Sequence, residues 1–182
     1  MAKKSINELF LEMSNIGLDG WISNEEGEKL RREAELLKPG QTYLEIGVAF
    51  GKSLATMAYY AHERVDIWGI DKLDWEQRNQ YLEQLGVLGR INFIQGESQQ
   101  EAIMWKQKPI DLLFIDGDHS YYGVAKDIAS WFPLVQHGGK IMFHDYTQTS
   151  PGVMRAIHDF IYSHPCYKDF CQDGSIYSFT KI

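Results

Sequence analysis

Apolar positions along the chain fall into two regimes that meet near residue 40. Before it, Ile6, Leu9, Phe10 and Met13 recur at three- and four-residue intervals, which puts them on one face of a helix, and Ser5-x-x-Glu8 has the spacing of a capping box. Ser23-x-x-Glu26 repeats that spacing and predicts a second helix, and Lys38-Pro39-Gly40 closes the region. Beyond it, short apolar runs alternate with helical patterns. The runs at 42–46, 65–70, 91–94, 110–115 and 140–143 predict five strands. Helices are expected over about 52–63, from an Asp74 cap with Gln77 at the third position as far as Gly86 and Gly89, and from a Ser98-x-x-Glu101 cap. Two more are expected, one along the stripe Val124, Ile128 and Trp131 and one starting at Pro151. Gly138-Gly139 is expected to lead into the fifth strand. Residues 167–182 predict a hairpin turning at Asp173-Gly174.

Strands and helices in regular alternation predict βαβ units, because parallel strands need a crossover and a helix supplies it. The fold class expected is therefore α/β: a doubly wound, mostly parallel, Rossmann-like sheet with a C-terminal antiparallel hairpin and an N-terminal helical cap. The almost wholly apolar run 110–115 belongs at its buried centre. A length of 182 residues suits one core better than two, so residues 1–40 are expected to cap the same domain that 41–182 builds.

Charge and composition narrow the partners. A net charge of −7 argues against a nucleic-acid surface, which needs clustered Lys and Arg, and leaves a small molecule as the expected substrate. The two cysteines, Cys166 and Cys171, build neither a disulfide framework nor a metal motif and are expected to be reduced. No run approaches the about 18 apolar residues of a membrane span, so no membrane partner and a cytoplasmic location are expected. The amphipathic first helix could pack on its own core or on a second subunit, and a homodimer is the expectation.

Ligands on such sheets sit beyond the carboxyl ends of the strands. There, the turn from Gly47 to Gly51 lets backbone N–H groups and a helix N-terminus approach a ligand. A dinucleotide fingerprint starting at Gly47 would need glycine where Ala49 and Lys52 stand, and a phosphate loop ending in Gly51-Lys52-Ser53 would need its first glycine one residue earlier. Plainer roles exist too: the glycines for a tight turn, Asp71 and Ser98 as caps.

Glu45-Ile46-Gly47-x-x-x-Gly51, followed by Asp71, resembles the class I S-adenosylmethionine-dependent methyltransferases. The run FIDGDHSYYGVAKDIASWFPLVQHGGKIMFHDY, Phe114 to Tyr146, looks like the subgroup of macrocin O-methyltransferase and cephalosporin hydroxylase type proteins, methyltransferase family 24. The resemblance, which runs from about residue 20 to the C-terminus, implies S-adenosylmethionine as cofactor. It puts Glu45, Gly47 and Gly51 beside the methionine part, Asp71 on the ribose hydroxyls, Glu97 and Ser98 near adenine, and Asp116 at the cofactor's edge. It also implies methylation of a small-molecule hydroxyl. Two other classes stay open: a non-catalytic protein binding the same cofactor, and a nucleotide-dependent enzyme on a Rossmann-like sheet.

Strand order in such folds makes Asp116, Asp118, His119, His144 and Asp145 neighbours at two adjacent strand tips. Carboxylates with an imidazole suit a hard divalent cation, Mg2+ first, that would lower the pKa of an acceptor hydroxyl. Similarity to catechol-type O-methyltransferases implies Asp116 and Asp145 as ligands, but Tyr146 stands where that family has asparagine. Asp118 is the expected third ligand, with His119 or His144 as replacements. His119 occupies the position of the family's lysine base and is the expected base, with His144 as the alternative. In a purely structural reading, Asp118 caps the helix starting near Tyr121 and His119 merely packs. Trp21, Trp75 and Tyr146 could line an acceptor pocket. His62, His137, His158 and His164 have no partner cluster and are assigned no chemistry.

Overall fold

The computed structural model describes residues 3–74, 76–164 and 166–182. Both predicted capping boxes form. Ser5 and Glu8 open α1 (Ile6–Asn15), and Ser23 and Glu26 open α2 (Asn24–Leu36), each serine side chain accepting from the N3 backbone and each glutamate from the cap backbone. The alternating region follows as β1 (Thr42–Ile46), α3 (Lys52–Tyr60), β2 (Asp66–Asp71), α4 (Glu76–Gln84), β3 (Ile91–Gln95), α5 (Ser98–Met104) and β4 (Ile110–Ile115). It continues through α6 (Tyr121–Trp131), β5 (Val135–Phe143), α7 (Pro151–Ser163), β6 (Tyr167–Asp173) and β7 (Ile176–Lys181).

The seven strands order as β3-β2-β1-β4-β5-β7-β6. The pairings among β1 to β5 are parallel, whereas β7 enters antiparallel between β5 and β6. The order reverses between β1 and β4, where crossovers leave to opposite sides and a crevice opens. Side chains alternate between the faces. Tyr43, Leu112, Phe114 and Met142 join Ile6, Leu9, Met13, Leu30 and Leu54 of α1 to α3 in one core. Leu44, Leu113, Ile115, Ile141 and Phe143 join Val124, Ile128, Trp131 and Ile157 of α6 and α7 in the other. Among the described residues, no helix is long and apolar enough to cross a membrane. Cys166 and Cys171 are free thiols.

Several local expectations are corrected. α3 ends at Tyr60, short of Glu63, because Ala61 turns extended and the Arg90 guanidinium takes the carbonyls of Ala58, Ala61 and His62. β5 begins at Val135, so Gly138-Gly139 lies within it; the glycines carry a bulge in which Ile110 pairs with Val135 but Leu112 with Lys140. Ser98 is the first helical residue of α5 and not its cap: Glu97 takes the cap position without a side-chain bond, and Ser98 Oγ instead accepts from Trp131 Nε1 at 2.7 Å. Trp75, expected to border an acceptor pocket, lies outside the described residues; Asp74, the expected cap of α4, has its carboxylate 3.6 Å from the Arg78 guanidinium.

Candidate active site

The tips of β1, β2, β3 and β4 and the segment between α1 and α2 enclose a cavity of about 730 Å³. Its floor is the turn after β1. Gly47, at φ +83°, has no room for a Cβ, which would stand 2.2 Å from the Asp116 carbonyl oxygen. The absent side chain lets the β1 and β4 tips touch, and the Asp116 N–H closes the join on the Ile46 carbonyl at 2.8 Å. Gly51, at φ +91°, then leads into α3. Asp71 Oδ2 accepts the N–H groups of Val48 at 3.0 Å and Ala49 at 2.7 Å, and Oδ1 accepts from Leu73 at 2.9 Å. The aspartate at the β2 tip thus ties down the turn while bordering the cavity. Glu97 and Ser98 border it as well.

Glu45, expected beside the cofactor, does not reach the cavity. It is wholly buried behind the turn, accepting from Tyr43 Oη at 2.6 Å and Ser53 Oγ at 2.5 Å, and burial pushes its carboxyl up to about 8. Lys52 is engaged too: its Nζ donates to the carbonyls of Ile22 at 2.9 Å and Gly20 at 3.3 Å, which pins the segment between α1 and α2 beside the turn. That bonding speaks against a phosphate-loop lysine.

Asp127 was not singled out in the sequence. It is buried on the cavity wall and accepts from Gln99 Nε2 at 2.6 Å; burial raises its carboxyl pKa. An acidic residue on the core stripe Val124, Ile128 and Trp131 was the signal for it.

The ionisable cluster forms where β4 and β5 end. The His144 N–H bonds the Ile115 carbonyl at 3.1 Å, which aligns the two tips. Asp145 adopts φ +56°, a left-handed backbone that turns its carboxylate back over the strand ends. His144 Nδ1 lies 3.1 Å from Asp116 Oδ1 and 3.2 Å from Asp145 Oδ2. His119, half-exposed on the cavity wall, presents Nε2 at 3.1 Å from Asp145 Oδ2 and 3.8 Å from Asp116 Oδ1. The carboxylates of Asp116 and Asp145 beside it raise its pKa. For His144 burial disfavours the charged form, but the carboxylates of Asp116, Asp145 and Glu26 around it outweigh that and raise the pKa to about 12.

Asp116, His144 and Asp145 each offer one ligand atom, and these atoms lie within 4.8 Å of one another. Asp118, the expected third ligand, is not in this group. Its carboxylate turns to Ser120, accepting from N at 2.8 Å and from Oγ at 2.9 Å, and Ser120, not Asp118, caps α6 by accepting from Gly123 N. Tyr146 also departs from expectation: it faces away from the cavity, stacked on Tyr177 with its hydroxyl 2.6 Å from His158 Nε2. Trp21 does line the cavity, largely exposed. A second residue, which the sequence reading knew only as half of a capping box, is Glu26 of α2, whose Oε1 lies 3.5 Å from His144 Nε2.

Residues 44–146 match the profile of a family described as a methyltransferase domain. An uncharacterized protein of Acanthamoeba polyphaga mimivirus is 33% identical over 135 residues, 68% of this chain. The chain spans 61% of the length of that curated relative. Among solved structures, an O-methyltransferase from Bacillus cereus in complex with SAH is similar at a TM-score of 0.75 and 16% identity, over 100% of this chain and 92% of that one. The MycE methyltransferase from the mycinamycin biosynthetic pathway, solved with Mg, SAH and mycinamycin VI, is similar at a TM-score of 0.69 and 19% identity, over 98% of this chain and 55% of that one. At these identities the likeness to the solved structures is one of fold.

Proposed function

Because the chain belongs to methyltransferase family 24, and so carries a methyltransferase domain that uses S-adenosylmethionine, we propose that it methylates a hydroxyl group of a small molecule with the help of a divalent cation. The observation that carries this reading is the position of His119 Nε2, 3.1 Å from Asp145 Oδ2, on the wall of the same cavity that holds the glycine turn and Asp71. A proton acceptor, a set of carboxylates and a cofactor cradle then share one space.

The residues present fit both groups. For the cofactor, the cradle is the Gly47–Gly51 turn, Asp71 for the ribose and the Glu97–Ser98 wall for adenine. Its sulfonium supplies an already reactive methyl group, so the protein's main task is placement. For the cation, Asp116 and Asp145 provide hard oxygens and His144 an imidazole, a donor set suited to Mg2+ or Mn2+ that would acidify a bound hydroxyl. His119 takes the hydroxyl proton as it is lost. The segment Asp19–Ile22, fastened by Lys52, borders the cavity beside the turn. The SAH found in both of these solved structures, and the Mg found in the MycE one, support this reading.

The test is transfer of labelled methyl to a panel of phenolic and sugar hydroxyls, with and without chelator. Turnover should vanish in chelator and return with Mg2+. His119→Ala should keep affinity for S-adenosylhomocysteine while losing turnover by about 10²- to 10⁴-fold. Full activity in chelator would remove the cation, and undiminished turnover in the variant would remove the base.

A further inference from the structure

We propose that Glu26 is a positioning residue for the cation site: it holds the Nε2 proton of His144, so that a cation lying among Nδ1, Asp116 and Asp145 would meet the Nδ1 lone pair. The proposal rests on the cation reading given above.

A neutral imidazole carries one N–H and one lone pair, and what the far nitrogen bonds to decides which is which. In His144 the near nitrogen, Nδ1, sits between Asp116 Oδ1 and Asp145 Oδ2 at 3.1 and 3.2 Å. A cation among these atoms needs the lone pair there, which requires the proton on Nε2. The ring is buried, and among the described residues the carboxylate oxygen facing Nε2 is Glu26 Oε1, at 3.5 Å. A carboxylate behind a metal-binding histidine fixes its tautomer and ring orientation.

Glu26 is built to stay in place. Its Oε2 accepts Ser23 N at 2.8 Å and Ser23 Oγ at 2.9 Å, and its Oε1 accepts Ser175 N at 2.9 Å and Ser175 Oγ at 2.6 Å. The turn between β6 and β7 is seated against it, since a Cβ on Gly174 would lie 2.9 Å from Glu26 Cγ. Capping alone does not require this. Glu8 completes the same capping box on α1 and is exposed, whereas Glu26 is 5% exposed. Burying a carboxylate is costly unless it is paired, and the pairing here includes His144.

Mn2+ is the probe, titrated into the full chain by calorimetry and observed by pulsed electron paramagnetic resonance for coupling to nitrogen. Wild-type protein should bind Mn2+ with a nitrogen coupling that survives His119→Ala and disappears in His144→Gln. Glu26→Gln should weaken Mn2+ binding about 10- to 100-fold while leaving S-adenosylhomocysteine affinity unchanged. Ser23→Ala and Ser175→Ala, which loosen Glu26 without removing its carboxylate, should stay within about threefold of wild type. No Mn2+ binding by wild type would sink the cation reading and this proposal together. Binding without nitrogen coupling would overturn the proposal alone, even if Glu26→Gln failed to fold. Wild-type affinity in Glu26→Gln, or equal losses in the two serine variants, would also overturn it, the latter by making the role merely structural.

Discussion

Asp71 Oδ2 accepts the backbone N–H of Ala49 at 2.7 Å, so the residue proposed to hold the cofactor ribose also shapes the turn proposed to cradle the cofactor. Two functions in one carboxylate predict a double loss. Asp71→Ala should lower S-adenosylhomocysteine affinity at least tenfold and also destabilise the fold by about 1–3 kcal/mol, because the N–H groups of Val48 and Ala49 lose their acceptor. Calorimetric titration and thermal melting of the same preparation read the two separately. Lost affinity at unchanged stability would mean that the turn holds without Asp71.

Gly47 and Gly40 share a left-handed backbone, at φ +83° and +85°, yet only Gly47 is hemmed in. Alanine at Gly40 meets nothing within 4 Å and should cost about 1–2 kcal/mol from backbone conformation alone. Alanine at Gly47 adds a clash at 2.2 Å with the Asp116 carbonyl oxygen, and backbone on both sides leaves nothing flexible to yield. It should be the more destabilised of the two, and should misplace Asp116. Equal melting temperatures for the variants would show that the β1 and β4 tips are not in contact.

Asp118 and Asp145 look equivalent in the sequence but part in the structure. Asp118→Ala removes the acceptor for Ser120 N and Oγ, and should destabilise the start of α6 by about 1 kcal/mol while Mn2+ affinity stays within about threefold. Asp145→Ala should abolish Mn2+ binding. Calorimetry on the pair decides, and a large loss of Mn2+ affinity in Asp118→Ala would restore Asp118 as a ligand.

These contrasts mark what the sequence could and could not convey. Strand and helix periodicity, the capping boxes and the glycine turn are local, and each reappears within a few residues of its expected place. The parallel order followed as well, since crossovers of helix length permit little else. What failed depended on contacts between distant segments. Ser98 has the spacing of a cap, but Trp131 competes for its hydroxyl. Glu45 sits in the motif, yet side chains alternate along a strand and it points behind the sheet to Ser53. Asp118 is one backbone turn from Asp116 and bonds locally to Ser120 instead of reaching the cluster. Glu26 was visible only as half of a capping box; that α2 would set it against His144 is a fact of packing.

Glu45 supplies the pH dependence that is cleanest to read. Burial pushes its carboxyl up to about 8 in the fold, against 4.5 for an unperturbed glutamate. Between those values the folded chain keeps a proton that the unfolded chain has released, so stability falls as pH rises, by up to about 1.4 kcal/mol per unit. Below about 4.5 both states are protonated and above about 8 both are ionised, so this group contributes no slope in either range. Glu45→Gln cannot ionise, and its amide can still bond the hydroxyls of Tyr43 and Ser53, each of which can donate or accept. Its stability relative to wild type should therefore grow from pH 5 to pH 7 and level off by pH 9, as measured by urea unfolding at the three values. A difference that stays constant across them would mean that Glu45 titrates alike in both states, and that Tyr43 and Ser53 hold a carboxylate there rather than a protonated acid.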